Sequence, residues 1–274
     1  METNYSESQL QQLINTEISL RIFQGRGVVP VPILVDLIEE FRLGWDTAFY
    51  FPWLHFPPNA NHRGGNFFIQ YKLSDEITRR NGKHYDVWNE NYLRFFIPHR
   101  ANSKDIDYHQ YDRLKELANT GYSVYYATNQ VMDFEELKIL ASQIRLLDQT
   151  PFLNVNDIND YHKEATFTRT SNHFLLHSEI EKSNKTTWEN IYRNENDKFT
   201  LRETIDFLSK ILINEEEKEK EKQKPTDNQI SFTYQYNRVS NQDQGTIKTI
   251  RQAYLVSYYL KLLLNLNWYW TDRI

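Results

Sequence analysis

Asn66-Phe67-Phe68-Ile69-Gln70-Tyr71-Lys72-Leu73 is the stretch whose reading decides the fold. Phe67, Phe68, Ile69 and Tyr71 favour extended backbone, and the Pro/Asn/Gly loop over 57–65 bounds the run as a strand. Side chains alternate faces along a strand, so Gln70 and Lys72 share one side while Ile69 and Tyr71 share the other. A run this aromatic reads as a central strand. An amide and an ammonium at its carboxyl end then need partners, because buried polar groups are costly without them. Residues 45–51 read as the preceding strand, and as a neighbour it brings Asp46 towards Gln70 and Lys72. The plainer alternative puts Gln70 and Lys72 on the solvent face of an amphipathic strand, with Asp46 a turn residue after Gly44.

Working outward, residues 7–23 place Leu10, Leu13, Ile14, Ile18 and Ile22 at helical spacing, with Gly25 and Gly27 closing the helix. A short helix is expected over 34–43 and a third strand over 92–98. Residues 108–119 put Tyr111, Leu114 and Leu117 on one helical face. Gly121 then separates them from a fourth strand, 122–128, and a further helix covers 134–147. Helices interspersed with strands in this order indicate a mixed α/β or α+β domain, expected over 1–150. Residues 151–274 are expected to form a carboxy-terminal extension packing on that core. It holds a hairpin or strand-rich segment within 166–179, a helix over 200–214 and a charged loop near 215–227. The run 215–224 has no apolar residue and reads as a solvated loop or helix extension. Residues 253–270 are strongly apolar, but Lys261, Asn265 and Asn267 would be expensive at membrane depth. They read as a buried helix running into a final strand, 265–271.

Composition narrows the function. The chain has 274 residues, 39% of them hydrophobic and 15% aromatic, enough for a substantial core. With no cysteine there is no disulfide, thiol nucleophile or Cys-based metal site. The formal charge of −5 announces neither nucleic acid nor anionic lipid as a partner. Residues 1–12 lack the basic and apolar regions of a secretory signal, so a cytoplasmic chain without membrane association is expected. No Walker-type phosphate loop, dinucleotide glycine fingerprint, serine elbow or zinc-protease HExxH motif occurs.

A carboxylate with an amide oxygen can hold Mg²⁺, which prefers hard oxygen ligands. The ion lowers the pKa of a bound water and stabilises charge on a phosphoryl oxygen, and a neighbouring lysine offsets charge in the transition state. Glu17, on the first helix, adds a second carboxylate. Glu17, Asp46 and Gln70-Tyr71-Lys72 resemble the PD-(D/E)XK nuclease superfamily, in the variant where glutamine replaces the usual acid. The resemblance spans 7–128. It implies a restriction-endonuclease-like core, a central mixed sheet flanked by helices. It further implies Asp46, Gln70 and Glu17 as ligands of Mg²⁺ or Mn²⁺, and Lys72 as the catalytic lysine. Glu40 competes with Glu17 for the helix-acid role. Trp45 stands where the family pattern has proline, and residues 74–99 separate the strand from the next helix.

Residues 63–104 are locally basic: Arg63, Lys72, Arg79, Arg80, Lys83, Arg94, Arg100 and Lys104 face Asp75, Glu76, Asp86 and Glu90. With aromatics interleaved, Arg79, Arg80, Lys83, Arg94 and Arg100 become candidates for holding a phosphate backbone, against the plainer reading of a mixed surface. His173 and His177 share a face, and with Glu179 or His162 have the makings of a zinc site; ordinary structural histidines are the expected reading. The function expected is a metal-dependent nuclease of DNA or RNA, a type the resemblance associates with bacterial antiviral defence, working alone, with a partner protein or as a homo-oligomer. The alternatives are a non-catalytic nucleic-acid- or protein-binding subunit on a degenerate nuclease fold, and an aromatic-lined sensor of small molecules.

Overall fold

The computed structural model describes residues 2–26, 32–33, 49–50, 60–61, 63–97, 110–193, 198–222, 231–264 and 266–272. Two compact units share the chain: 1–25 with 67–195, and 26–66 with 196–274. The division expected near residue 150 thus falls inside the first unit.

Helix α1 (Glu7–Arg26) opens the first unit. Ser6 and Gln9 form a reciprocal capping box at its start, Gln9 N–H donating to Ser6 Oγ and Ser6 N–H to Gln9 Oε1. Leu10, Ile14 and Ile18, one turn apart, are fully buried. In the second unit, β1 (Pro32–Ile33) and β2 (Phe49–Tyr50) pair antiparallel. Strand β3 (Gly64–Lys72) follows, then β4 (Asp75–Ile77), the short helix α2 (Tyr85–Trp88) and β5 (Tyr92–Phe96). The next helix, α3 (Gln110–Thr120), leads to β6 (Ser123–Thr128), which lies parallel to β3 with Gln70 opposite Tyr126 and Lys72 opposite Thr128. Helix α4 (Phe134–Ser142), capped by Asp133, precedes β7 (Phe152–Asn154), antiparallel to β6. A second, antiparallel sheet has the order β10-β9-β8-β5-β4, where β8 is Glu164–Phe167, β9 His173–His177 and β10 Glu181–Asn184. Helix α5 (Trp188–Arg193) follows. The protein is therefore α+β, and its described residues form one four-stranded mixed sheet, one five-stranded antiparallel sheet and the two-stranded β1–β2 pair.

Strand alternation stacks these layers. Tyr71 Oη donates to Asn15 Oδ1 at 2.8 Å, so α1 covers the Tyr71 side of β3. On the other side, Gln70's register partner Tyr126 meets Phe95 of β5, ring centroids 6.0 Å apart. The antiparallel sheet therefore packs on the Gln70 side through Phe95, with Phe174 and Phe167 edge-on behind it. Residues 67–71 are buried throughout, which makes β3 a central strand and rules out a solvent-facing Gln70. The far face of the antiparallel sheet carries Arg94, Glu164, Thr166 and His177, and the 79–90 segment folds over it. Gly82 permits that approach: a Cβ there would sit 2.7 Å from Ile77 Cγ2 and 3.1 Å from Tyr92 Oη.

In the second unit, α6 (Leu201–Lys222), α7 (Phe232–Gln242) and α8 (Gly245–Leu264) pack together, and β11 (Asn267–Asp272) lies against α8. Leu208, Leu212, Phe232, Val256 and Leu260 form its dry centre, each contributing roughly 1.5–3 kcal/mol through burial. The apolar 253–270 segment is, as expected, a buried helix leading into a final strand. No described helix is long and apolar enough to cross a membrane. Of the two readings of the charged run, the helix extension holds, since α6 runs on through Lys222, while the loop and the expected solvation are corrected there: Glu215 and Glu216 are buried. Glu216 Oε2 accepts from Thr233 N–H at 3.0 Å and from its hydroxyl at 2.5 Å, which gives the carboxylate a reason to be inside.

Candidate functional site

Polar groups gather at the carboxyl ends of the parallel strands β3 and β6, the end at which open α/β sheets bind ligands. Gln70 is fully buried; its Nε2 donates to Tyr71 O at 3.1 Å, and its Oε1 meets no donor among the described residues. Two residues on, Lys72 emerges half-buried at the strand end, with no ion-pair partner among the described residues. Ser74 bridges the strand ends: its hydroxyl bonds Thr128 Oγ1 at 2.5 Å and its N–H donates to Asn129 Oδ1 at 2.7 Å. Glu76, almost buried, pairs with Arg169 at 2.9 Å.

Asp46 and Glu40 lie outside the described residues, as do Arg100, Lys104 and the helix expected over 34–43. Glu17 is described, and its surroundings are structural. Its Oε2 accepts from Leu146 N–H at 2.7 Å and its Oε1 from Arg21 Nε at 3.0 Å. Arg21 goes on to Asp148 at 2.6 Å and Glu189 at 2.7 Å. Burial lifts the Glu17 pKa above its ordinary value, against the pull of the Leu147 and Leu146 N–H groups and Arg21. Because α1 covers the Tyr71 side, Glu17 and Gln70 belong to opposite sides of β3. Those two are not brought together. Among the described residues, no group of three or more His, Asp or Glu is placed to hold a metal ion.

A second cluster of charged groups lies on the far face of the antiparallel sheet, around a glutamate to which the sequence assigns no role. Glu164, nearly buried, takes a hydrogen bond from Lys83 Nζ and bonds His84 Nε2 at 2.8 Å, with Arg94 Nη1 3.8 Å from its other oxygen. Burial opposes its charge, but the Lys83 and His84 bonds prevail and hold its pKa below the ordinary value. His177, directly across from Glu164 in the sheet, stacks on His84 at 3.7 Å and bonds Thr166 Oγ1 at 2.8 Å. Burial, reinforced by His84, pushes its pKa down to about 4. Trp88 Nε1 also donates to Thr166, and the Trp88 ring stacks on His173. The two histidines of the zinc pattern thus stack on His84 and Trp88 of the 79–90 segment and take their hydrogen bonds elsewhere, His177 with Thr166 and His173 with Asn172. Of the candidate phosphate-binding cations, Lys83 and Arg94 converge on Glu164, while Arg79 and Arg80 are exposed in the adjoining turn. A signal for this face was present: Glu164, Thr166 and Thr168 alternate with Ala165 and Phe167, a half-polar strand starting two residues earlier than expected.

Comparison with protein-family models, with curated proteins and with solved structures gives no match.

Proposed function

We propose that the protein is a metal-dependent nuclease hydrolysing phosphodiester bonds of DNA or RNA, on a PD-(D/E)XK-like core. The observation that carries this reading is Gln70 Oε1, a buried carbonyl oxygen with no donor among the described residues. Leaving such an acceptor unmet costs about 1–3 kcal/mol, and a hard divalent cation is a ligand that would satisfy it. Mg²⁺ or Mn²⁺ held at Gln70 would supply Lewis-acid stabilisation of phosphoryl charge; the second ligand that the sequence resemblance implies, Asp46, lies outside the described residues. Lys72 shares Gln70's side of β3, and its ammonium neutralises the scissile phosphate from the strand end. The parallel β3–β6 pair in a mixed sheet, joined through α3, agrees with the core the sequence resemblance implies.

A second reading, a non-catalytic binding subunit on the same fold, is favoured by Glu17. Its carboxylate is spent on Arg21 and Leu146, across β3 from Gln70.

Cleavage of single- and double-stranded DNA and RNA with Mg²⁺ or Mn²⁺ tests both. Metal-dependent cutting is expected, reduced at least about a hundredfold in folded Gln70→Ala, Lys72→Ala and Asp46→Ala variants. Cutting that survives all three substitutions, or no cutting with either metal, sinks the nuclease reading; the second outcome favours the binding subunit.

A further inference from the structure

We infer that the far face of the antiparallel sheet, around Phe96, binds single-stranded nucleic acid: a base stacks on the Phe96 ring while Lys83, Arg94, Arg79 and Arg80 hold flanking phosphates. The inference rests on the reading that nucleic acid is what the protein acts on. It concerns a different surface, since Phe96 and Gln70 lie on opposite sides of β5.

Phe96 is 56% exposed at the end of β5, although Leu93 and Phe95 of the same strand are buried. A lone exposed aromatic needs no explanation by itself. This one is oriented: the Arg94 guanidinium lies 4.7 Å from the ring centroid. Arg94 is in turn near Glu164, Phe96's direct register partner on β8. Lys83 bonds the same carboxylate, yet its side chain is 67% exposed. Ring, guanidinium and ammonium are therefore gathered around one buried anchor.

Three features of this arrangement favour an anionic ligand. Glu164 is already engaged by Lys83 and His84 and is almost wholly buried, so its capacity to repel a phosphate is small. Arg94 Nη1 stands 3.8 Å from Glu164 and its side chain is 23% exposed, a loosely held guanidinium that a phosphate oxygen can engage. The turn Arg79-Arg80-Asn81-Gly82-Lys83-His84 holds three cations and no carboxylate. Asp75, the register partner of Arg94, is the counterweight on the β4 side. An aromatic beside cations is the composition of a single-strand platform, because every base offers a face to stack. It selects single strands, since duplex bases are covered by their neighbours.

The test is fluorescence anisotropy of the full chain in EDTA, so that metal-dependent cleavage does not consume the probe. The probes are labelled DNA and RNA single strands of about twelve nucleotides and the matching duplexes. Binding to a single strand is expected to be at least about tenfold tighter than to its duplex. Phe96→Ala should weaken it by roughly five- to hundredfold, the value of one base–aromatic stack, and Phe96→Trp should restore it. Replacing Arg79 and Arg80 by Gln should weaken binding and flatten its salt dependence. Equal or tighter duplex binding, full affinity in folded Phe96→Ala, or no binding by the wild type would each overturn the inference. Cleavage in Mg²⁺ without Phe96-dependent binding would remove this platform and leave the nuclease reading standing. Phe96-dependent binding without cleavage in either metal would do the reverse.

Discussion

Glu17 is where residue-level chemistry and fold meet. Ile144 stands at φ 56°, a conformation a β-branched residue adopts only under constraint. Beyond it, Leu146 N–H points at the Glu17 carboxylate, and Ile144 O accepts from Arg21 Nη2. Glu17→Ala should cost about 2–4 kcal/mol, because a buried N–H and part of an ion-pair network lose their partner. Glu17→Gln, which keeps an acceptor for Leu146, should cost less. Urea unfolding measures both. Unchanged stability with lost cleavage would instead make Glu17 the helix acid. His177 sets a pH dependence. Its folded pKa of about 4 lies below the ordinary 6.5, so between those values the unfolded chain takes up a proton that the folded chain refuses. Stability should therefore fall as pH drops from 6.5 towards 4, by about 3 kcal/mol over the whole window. Folded His177→Gln should flatten that slope in urea titrations at pH 7 and pH 5. Glu164, also held below its ordinary pKa, loses its contribution only as pH falls through its own lower value.

At the scale of elements, caps and latches decide boundaries that hydrophobic spacing leaves vague. Thr200 and Glu203 repeat at α6 the reciprocal capping seen at α1, with Thr200 N–H donating to Glu203 Oε2 and Glu203 N–H to Thr200 Oγ1. At the other end, a run without apolar residues stays helical through Lys222, and one of its acids caps the start of α7. Glu216→Ala should cost about 1–3 kcal/mol and raise amide exchange at Thr233, because two donors lose their acceptor. Glu217→Ala, at an exposed position of the same run, should stay within about 0.5 kcal/mol of wild type.

For the whole first unit, the layer order is α1, mixed sheet, antiparallel sheet, and the 79–90 segment over the far face. This order sends the polar residues of β3 and those of β8 to different destinations. Gln70 and Lys72 face inward and towards a strand end, while Glu164 and its cations face the 79–90 segment. The proposed chemistry and the proposed single-strand platform therefore make separable demands. Metal-dependent cleavage probes the first, and binding in EDTA the second.

The α+β class, the central position of β3, the 122–128 strand, the hairpin within 166–179 and the final helix–strand pair were all legible in the sequence. Each announces itself through local period: Phe67 to Tyr71 are too apolar for a solvent-facing strand, and Tyr111, Leu114 and Leu117 repeat at one helical turn. Gln70 and Lys72 were also legible as a polar pair on one side of a strand. Which sides of β3 receive Glu17 and Gln70 was decided by tertiary packing. That depends on Tyr71 reaching Asn15 and Tyr126 meeting Phe95, contacts between residues dozens of positions apart. The Glu164 cluster joins positions 83, 84, 94, 164 and 177, and no spacing rule connects them. Their charges acquire meaning only when the sheet register sets Glu164 across from His177 and burial removes the water that would have screened them.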